Sequence, residues 1–450
     1  MLSKSRYLKG LKCHKALWLY HHKKDKAYYP ESTQQIFAAG NATGELAQDY
    51  FPGGELALVD DFPNYKAAQK TEELIQQGYR TIYEATFIAH NTLIALDILH
   101  QIDGKWHAFE VKSTNSAKPE HIRDAAIQYY VMTQAGLEIE DISIMYFDKH
   151  YVRRGDIVPR KLFTYESVVD RINPYLVEIP QNIEIFLALF QKEEPTIQIG
   201  THCDQPYGCE FQKYCNKLPE NQDILNEVQN QPELGTEITY KNENAIQDFL
   251  VQNPYPIYSL DFETVMYGIP EFDESRPYQQ IPFQFSLHVQ KEKDSTPEHF
   301  EFLGNGIDDP REKLIITMLS HLGTKGSILV YSKSFEEYRI KELGRDFPQY
   351  KIQLNKVVER LVDLAVPYRK HIKTEATQKK WSLKIVQPTF LPHLSYNDLD
   401  IQHGMAAMDA YKLLAQQPED EQKKLRQNML DYCEIDTLAV LELYQHLYSI

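Results

Sequence analysis

The 450-residue sequence predicts an α/β protein of mixed sheets with flanking helices, divided into two domains. Three observations lead there. Apolar runs carrying acidic residues, I-A-L-D-I-L, W-H-A-F-E-V-K-S and I-Y-S-L-D-F-E-T, read as strands. Segments such as H-I-R-D-A-A-I-Q-Y-Y-V-M and L-D-Y-C-E-I-D-T-L-A-V-L read as helices with one apolar side. A polar stretch rich in Pro, Asn and Gln over 219–254 separates the two sets, so 1–218 and 255–450 are the expected domains with a linker between them.

Composition narrows the class. An apolar share of 42% and a charged share of 25% are ordinary for globular protein. The net charge of −16 argues against a general nucleic-acid coat protein but leaves room for a local basic groove. Basic residues cluster at Lys4, Arg6, Lys9, Lys12 and Lys15 and again at Arg153, Arg154, Arg160 and Lys161. Either cluster alone is more often a solvated face. No apolar run reaches membrane-span length, and five cysteines suit a reducing compartment, so a cytoplasmic protein with no membrane contact is expected.

Taken in order, residues 3–22 suggest a helix or helix pair, 33–50 a helix and 64–78 another. Strands follow from Thr81. Residues 94–113 form the expected β-hairpin, turning at Asp103-Gly104. Glu110 and Lys112 are two apart on the second strand and share a face, which Asp97 on the partner strand can meet. Two carboxylates and a lysine can hold a divalent metal and an attacking water, although a lone E-x-K is more often a surface ion pair. Then come a helix to Gly136 carrying Gln128, a strand at 142–147, a partner segment within 151–163, and one long helix over 165–193 broken near Pro180.

Cys203, Cys209 and Cys215 follow at C-x5-C-x5-C spacing in a loop rich in Pro, Gly and aromatics. Three of only five cysteines so close together read as metal ligands, with Cys13 the leading fourth. C-x2-C pairs typical of zinc ribbons are missing, so an iron–sulfur cluster is expected, with Zn²⁺ as the alternative.

In the second half, Asp261 and Glu263 share a strand face in S-L-D-F-E-T. Further strands at F-Q-F-S-L-H-V, H-F-E-F-L and S-I-L-V-Y-S follow, and a helix starts with Ser334 as N-cap and Glu337 at the capping-box position. A second helix ends near Asp363, and W-S-L-K-I-V-Q-P is irregular or a short helix. On the last helix Tyr432 and Asp436 lie four apart on one face, with Cys433 read as a core thiol.

With these residues in place, the first half resembles the iron–sulfur branch of RecB-like nucleases in the PD-(D/E)xK superfamily. One cysteine (Cys13) precedes Asp97, Glu110, Lys112 and Gln128, and three follow. The resemblance implies a restriction-endonuclease-like domain stapled by a [4Fe–4S] cluster. It further implies Mg²⁺ or Mn²⁺ on Asp97, Glu110 and the Val111 carbonyl, Lys112 acting on the water, and Gln128 orienting DNA or the lysine. Glu45 or Gln48 stands near the family's usual upstream His, and Met132 replaces an aromatic. The second half resembles ribonuclease-H-like DEDD exonucleases, with Asp261, Glu263, Glu336 (in place of the usual Asp) and Asp436 as metal ligands. Tyr432 is implied to place the water, and Asp363 and Lys384 to be accessories. S-L-K-I-V-Q-P and P-Y-G-C-E-F are also similar to stretches of the bacterial family called domain of unknown function 2779, a likeness covering nearly the whole chain. The expected function is therefore a metal-dependent nuclease, a DNA exonuclease before an RNA one. The alternative is a nucleic-acid-binding protein with one or both sites inactive.

Overall fold

A computed structural model describes residues 1–60, 63–205, 207–222, 235–396 and 399–450, leaving out the side chains of Glu31 and Ser32. The chain is mixed α/β and divides into two compact units. The first takes 1–231 and 268–278, and the second takes 232–267 and 279–450.

The first unit is built on a seven-stranded mixed sheet in the order β2-β3-β4-β5-β6-β7, with β1 paired to β4. The strands are β1 (Leu2–Ser3), β2 (Glu55–Leu56), β3 (Thr81–Ala89), β4 (Thr92–Ile102), β5 (Lys105–Val111), β6 (Ile139–Phe147) and β7 (Phe163–Ser167). The hairpin turns as its sequence requires: Asp103 (φ +49) and Gly104 (φ +80) take the two left-handed positions of the turn. The helix Pro119–Gln134 lays Ile122, Ala125, Ala126, Ile127 and Val131 into a core with Leu96 and Leu99 of β4 and Ala108 of β5. Residues 3–22 are a helix pair, Lys4–Lys12 and His14–His22, that meets at Cys13.

Three expectations for this unit change. The strand placed within 151–163 starts only at Phe163, after a loop and a short helix. The helix expected over 165–193 starts only at Val169, because residues 163–167 pair with β6, and its break near Pro180 falls at 177–178, between Val169–Leu176 and Ile179–Leu189. Residues 268–278, lying in the second half of the sequence, belong here: Arg153 N–H donates to Ser275 O at 3.0 Å, and Tyr278 bonds Ser113.

The second unit holds a five-stranded sheet ordered β11-β10-β9-β12-β13 and a two-stranded pair β14-β8. Its strands are β8 (Tyr240–Lys241), β9 (Ile257–Val265), β10 (Ile281–Gln290), β11 (Glu298–Leu303), β12 (Ser327–Val330), β13 (Leu361–Asp363) and β14 (Ile372–Lys373). β9, β10 and β11 form an antiparallel meander, while β12 and β13 add in parallel. The 28-residue helix Glu419–His446 covers one face of it. Ser259 of β9 and Gln284 of β10 donate to that helix's backbone at Thr437 O (2.7 Å) and Met429 O (2.8 Å).

Asp363 lies on a strand and not on a helix; L-V-D is too short an apolar run to separate the two by period. Lys333, not Ser334, occupies the N-cap of the helix Ser334–Asp346, and Glu337 pairs with Lys341 one turn on. Of the expected linker, residues 223–234 lie outside the described residues. Beyond them the chain is ordered structure: the helix Glu243–Gln252 buries Ile246 and Leu250 in the second unit's core. No helix among the described residues is long and apolar enough to cross a membrane.

Candidate functional site

In the first unit, the β4–β5 ladder ends at the pair Ile98↔Phe109, so Asp97 and Glu110 stand just beyond it. The Val111 N–H closes the gap by donating to Asp97 Oδ2 at 2.6 Å. That bond places the Val111 backbone at the site.

Glu110, 1% exposed, is the hub. Lys112 Nζ (2.6 Å) and Lys4 Nζ (2.7 Å) both donate to its Oε1, and Gln128 Nε2 donates to its Oε2 at 2.6 Å. Lys112 and Lys4 also pair with Asp124, the latter at 3.4 Å. Burial alone would raise the Glu110 carboxyl, but the two lysines outweigh it and hold it far below the usual range. Asp97 moves the other way: burial and then Glu110 push it well above its ordinary value. Two carboxyls driven apart in this way are a common arrangement at acid–base and metal sites.

The structure brings Asp97, Glu110, Lys112 and Gln128 together and adds three residues the sequence reading left out. Asp124 lies one turn before Gln128 on the same helix, a spacing that could have flagged it. Glu84 sits at φ +53 on β3, opposite Asp97 and between the pairs Tyr83↔Ile98 and Ala85↔Leu96. Burial and then Glu110 push it up to about 6. Lys4 arrives because β1 pairs with β4, a contact nothing local in the sequence announces. Glu45 is exposed, and Gln48 accepts the Tyr83 hydroxyl on its backbone carbonyl. Met132 is core.

Cys13, Cys203, Cys209 and Cys215 line one small pocket with Lys15, His202 and Phe211. Burial pushes the Cys215 thiol up to about 11 against the opposing pull of Lys15, with Cys209, Cys13 and Cys203 adding to the rise. Much of the N-terminal basic cluster is spent here. Lys9 pairs with Glu210, Lys12 donates to Tyr207 O, and the buried Lys15 pairs with Glu194 (3.4 Å) and Glu220 (3.1 Å).

In the second unit, β9 alternation places Asp261 and Glu263 under the helix Glu419–His446, which supplies Tyr432, Cys433 and Asp436. Ligand atoms of Asp261, Glu263 and Cys433 lie within 4.8 Å of one another. The Cys433 thiol, read from sequence as core, is buried but donates to Asp261 Oδ2 at 3.8 Å. Glu336 enters from the helix that follows β12, and its Oε2 is buried without a hydrogen-bond partner. Asp363 holds that turn: its Oδ1 accepts from Ser332 N–H (3.1 Å) and Ala365 N–H (3.0 Å), so it positions Glu336 from behind. A Cβ at Gly404 would come within 3.2 Å of Glu263 Oε2, so glycine allows this close approach.

The charges are lopsided. Burial and then Asp436 push Asp261 up to about 8, and burial and then Asp261 push Glu336 up to about 9. Glu263 rises for the same reasons. Among the described residues a cation in contact is Lys384, whose Nζ lies 3.0 Å from Asp436 Oδ1 and over the rings of Tyr396 (3.3 Å) and Tyr432 (4.5 Å). Tyr396, which the sequence reading missed, donates its hydroxyl to the same Asp436 oxygen at 2.5 Å.

Residues 258–382 match the model of a family described as domain of unknown function (DUF2779). The match takes in Asp261, Glu263, Glu336 and Asp363 and stops at Ser382, the first residue of S-L-K-I-V-Q-P. It is narrower than the near-whole-chain likeness expected, and P-Y-G-C-E-F lies outside it. Among curated proteins, the chain is similar to the uncharacterized protein MG366 of Mycoplasma genitalium, 27% identical over 205 residues, or 41% of this chain and 30% of that one. It is similar also to the uncharacterized MG366 homolog of Mycoplasma pneumoniae, 27% identical over 203 residues, 40% of this chain and 30% of that one. The matched stretch thus spans about a third of these relatives' length.

Proposed function

We propose that this protein is a metal-dependent nuclease, cutting DNA in preference to RNA, with one site in each unit. The observation that carries the reading is the second unit's carboxylate cluster. Glu263 and Glu336 are buried and Asp261 is half-buried beside them, one Glu336 oxygen has no partner, and the nearby lysine sits on Asp436. Ionising such a group is costly unless a cation arrives. The carboxylate oxygens of this set suit Mg²⁺ or Mn²⁺, which would supply charge neutralisation and an activated water. Asp261, Glu263, Glu336 and Asp436 would hold it, and Tyr432 would orient the water; a proton on Asp261 or Glu336 would leave as the cation enters.

In the first unit, Asp97 and Glu110 would hold the cation, with Glu84 within electrostatic reach. Lys112 would stabilise charge developing on the phosphate, and Gln128 would fix Glu110. An open cleft of about 700 Å³ on the same unit is lined by His150, Arg154, Arg160 and Lys161, with Asp148 and Asp156 among them and Arg154 paired to Glu274, so Arg160 and Lys161 are the cations that would meet a phosphate there. The four cysteines supply the donor set of a [4Fe–4S] cluster. Zn²⁺ on the same four thiolates is the alternative. A cytoplasmic setting follows from the same thiols.

One observation favours a second reading for the first site, binding without cleavage: Lys4 joins Lys112 on Glu110 and competes with any metal there. The test is degradation of 5′- and 3′-labelled single- and double-stranded DNA and RNA with Mg²⁺ or Mn²⁺. Metal-dependent loss of label supports the proposal. Activity unchanged in both Lys112→Ala and Asp261→Ala proteins, each folded, overturns it.

A further inference from the structure

Across the meander from the carboxylate cluster, His288 of β10 and His299 of β11 are directly opposite in the antiparallel register. Their rings stack at 4.5 Å. Glu434, on the covering helix between Tyr432 and Asp436, faces them, with Oε1 3.7 Å from His299 Nδ1. One ligand atom from each of the three lies within 4.8 Å of the others.

The polarity of the surrounding hydrogen bonds says which atoms are free. The Thr437 hydroxyl lies 3.0 Å from the Glu434 carbonyl one turn back and donates to it, as helical threonines do. Its oxygen can then only accept, from His288 Nδ1 at 2.9 Å and Ser286 Oγ at 2.6 Å. Ser286, having donated, accepts from His299 Nε2 at 2.9 Å. Each imidazole thereby has one nitrogen protonated by its partner, leaving lone pairs on His288 Nε2 and His299 Nδ1. His299 Nδ1 then confronts the Glu434 carboxylate, acceptor against acceptor, an arrangement that a cation relieves. Thr437 and Ser286 are the outer partners that fix ring orientation at metal-binding histidines.

We propose that His288, His299 and Glu434 bind a borderline transition metal, with Zn²⁺ the best match. Two imidazole nitrogens and one carboxylate are a Zn²⁺ set, chemically distinct from the carboxylate cluster that suits Mg²⁺. The site ties the Glu419–His446 helix to the β10–β11 hairpin and so sets the position of Tyr432 and Asp436. It is a clamp on the helix and does not itself touch a substrate.

The experiment uses tag-free full-length protein stripped by chelator, with Zn²⁺ binding measured in millimolar Mg²⁺. Wild type, His299→Ala, Glu434→Gln and the control Glu298→Gln, from an exposed pair with Lys291, are compared. Metal held by the cysteines contributes equally to all four. The expected result is one Zn²⁺ per chain bound at least tenfold more weakly in His299→Ala and Glu434→Gln, with the control unchanged. A second measurement needs no variant: Cu²⁺ placed in the site shows hyperfine coupling to two imidazole nitrogens. Equal Zn²⁺ affinity in all four proteins, or Cu²⁺ without nitrogen coupling, overturns the proposal and leaves a protonated His299–Glu434 ion pair.

Discussion

Asp261 ties pH, metal and stability together, and Asp261→Asn is the most informative perturbation. Its carboxyl rises from 3.8 to about 8 in the metal-free fold, chiefly through burial and Asp436. The unfolded chain releases that proton near pH 4, while the folded chain keeps it until near pH 8. Between those values the folded state binds more protons, so stability falls as pH rises. From pH 6 to pH 9 this one group removes about 3 kcal/mol from the metal-free protein, by proton linkage. Glu336, pushed up to about 9, adds in the same direction. Calorimetric unfolding of chelator-treated protein at both pH values measures this. The second unit's transition should drop steeply in wild type and less in Asp261→Asn, and Mn²⁺ should restore wild type at pH 9 but not the variant. Equal loss in both proteins, or no effect of Mn²⁺, refutes the reasoning.

Other outcomes follow from the geometry. Lys4→Ala removes one of two ammonium groups on Glu110; Mn²⁺ affinity of the first site, read by titration calorimetry in an Asp261→Asn background, should rise. Cys215→Ser should reduce iron and acid-labile sulfide in anaerobically purified protein to background, whereas wild type carrying zinc and no sulfide would contradict the cluster. Gly104→Ala, at φ +80, should cost about 1–2 kcal/mol in urea unfolding because a Cβ disfavours the left-handed region. Tyr396→Phe, which removes a hydroxyl from Asp436, should slow second-site cleavage more than it alters substrate binding, measured as a fall in kcat at nearly constant KM.

What could be read from the sequence was local. The hairpin was legible because Asp103-Gly104 dictates its turn and period-two alternation sets its faces. Asp97 and Glu110 then had to approach each other. Asp261 with Glu263, and Tyr432 with Asp436, were legible for the same reason, since spacings of two on a strand and four on a helix fix a shared face. The cysteine pattern also announced a shared pocket.

The rest depended on distant register. Lys4 reaches Glu110 only because a two-residue strand pairs with β4, and its sequence neighbourhood reads as a solvated basic face. Tyr396 meets Asp436 through packing of a loop against a helix 40 positions away. Residues 268–278 leave the meander for the first unit, a path no turn signal encodes. Asp363 looked like an accessory acid but caps the turn before Glu336, a role set by β12 and β13 lying side by side.

The central claim is that two carboxylate sites cut nucleic acid. Its most direct test is Mn²⁺-dependent degradation of labelled single-stranded DNA by the Lys112→Ala/Asp261→Ala double variant, folded as judged by circular dichroism, beside wild type and both single variants. The account predicts partial loss in each single variant and no activity in the double. Wild-type activity in the double variant would contradict it.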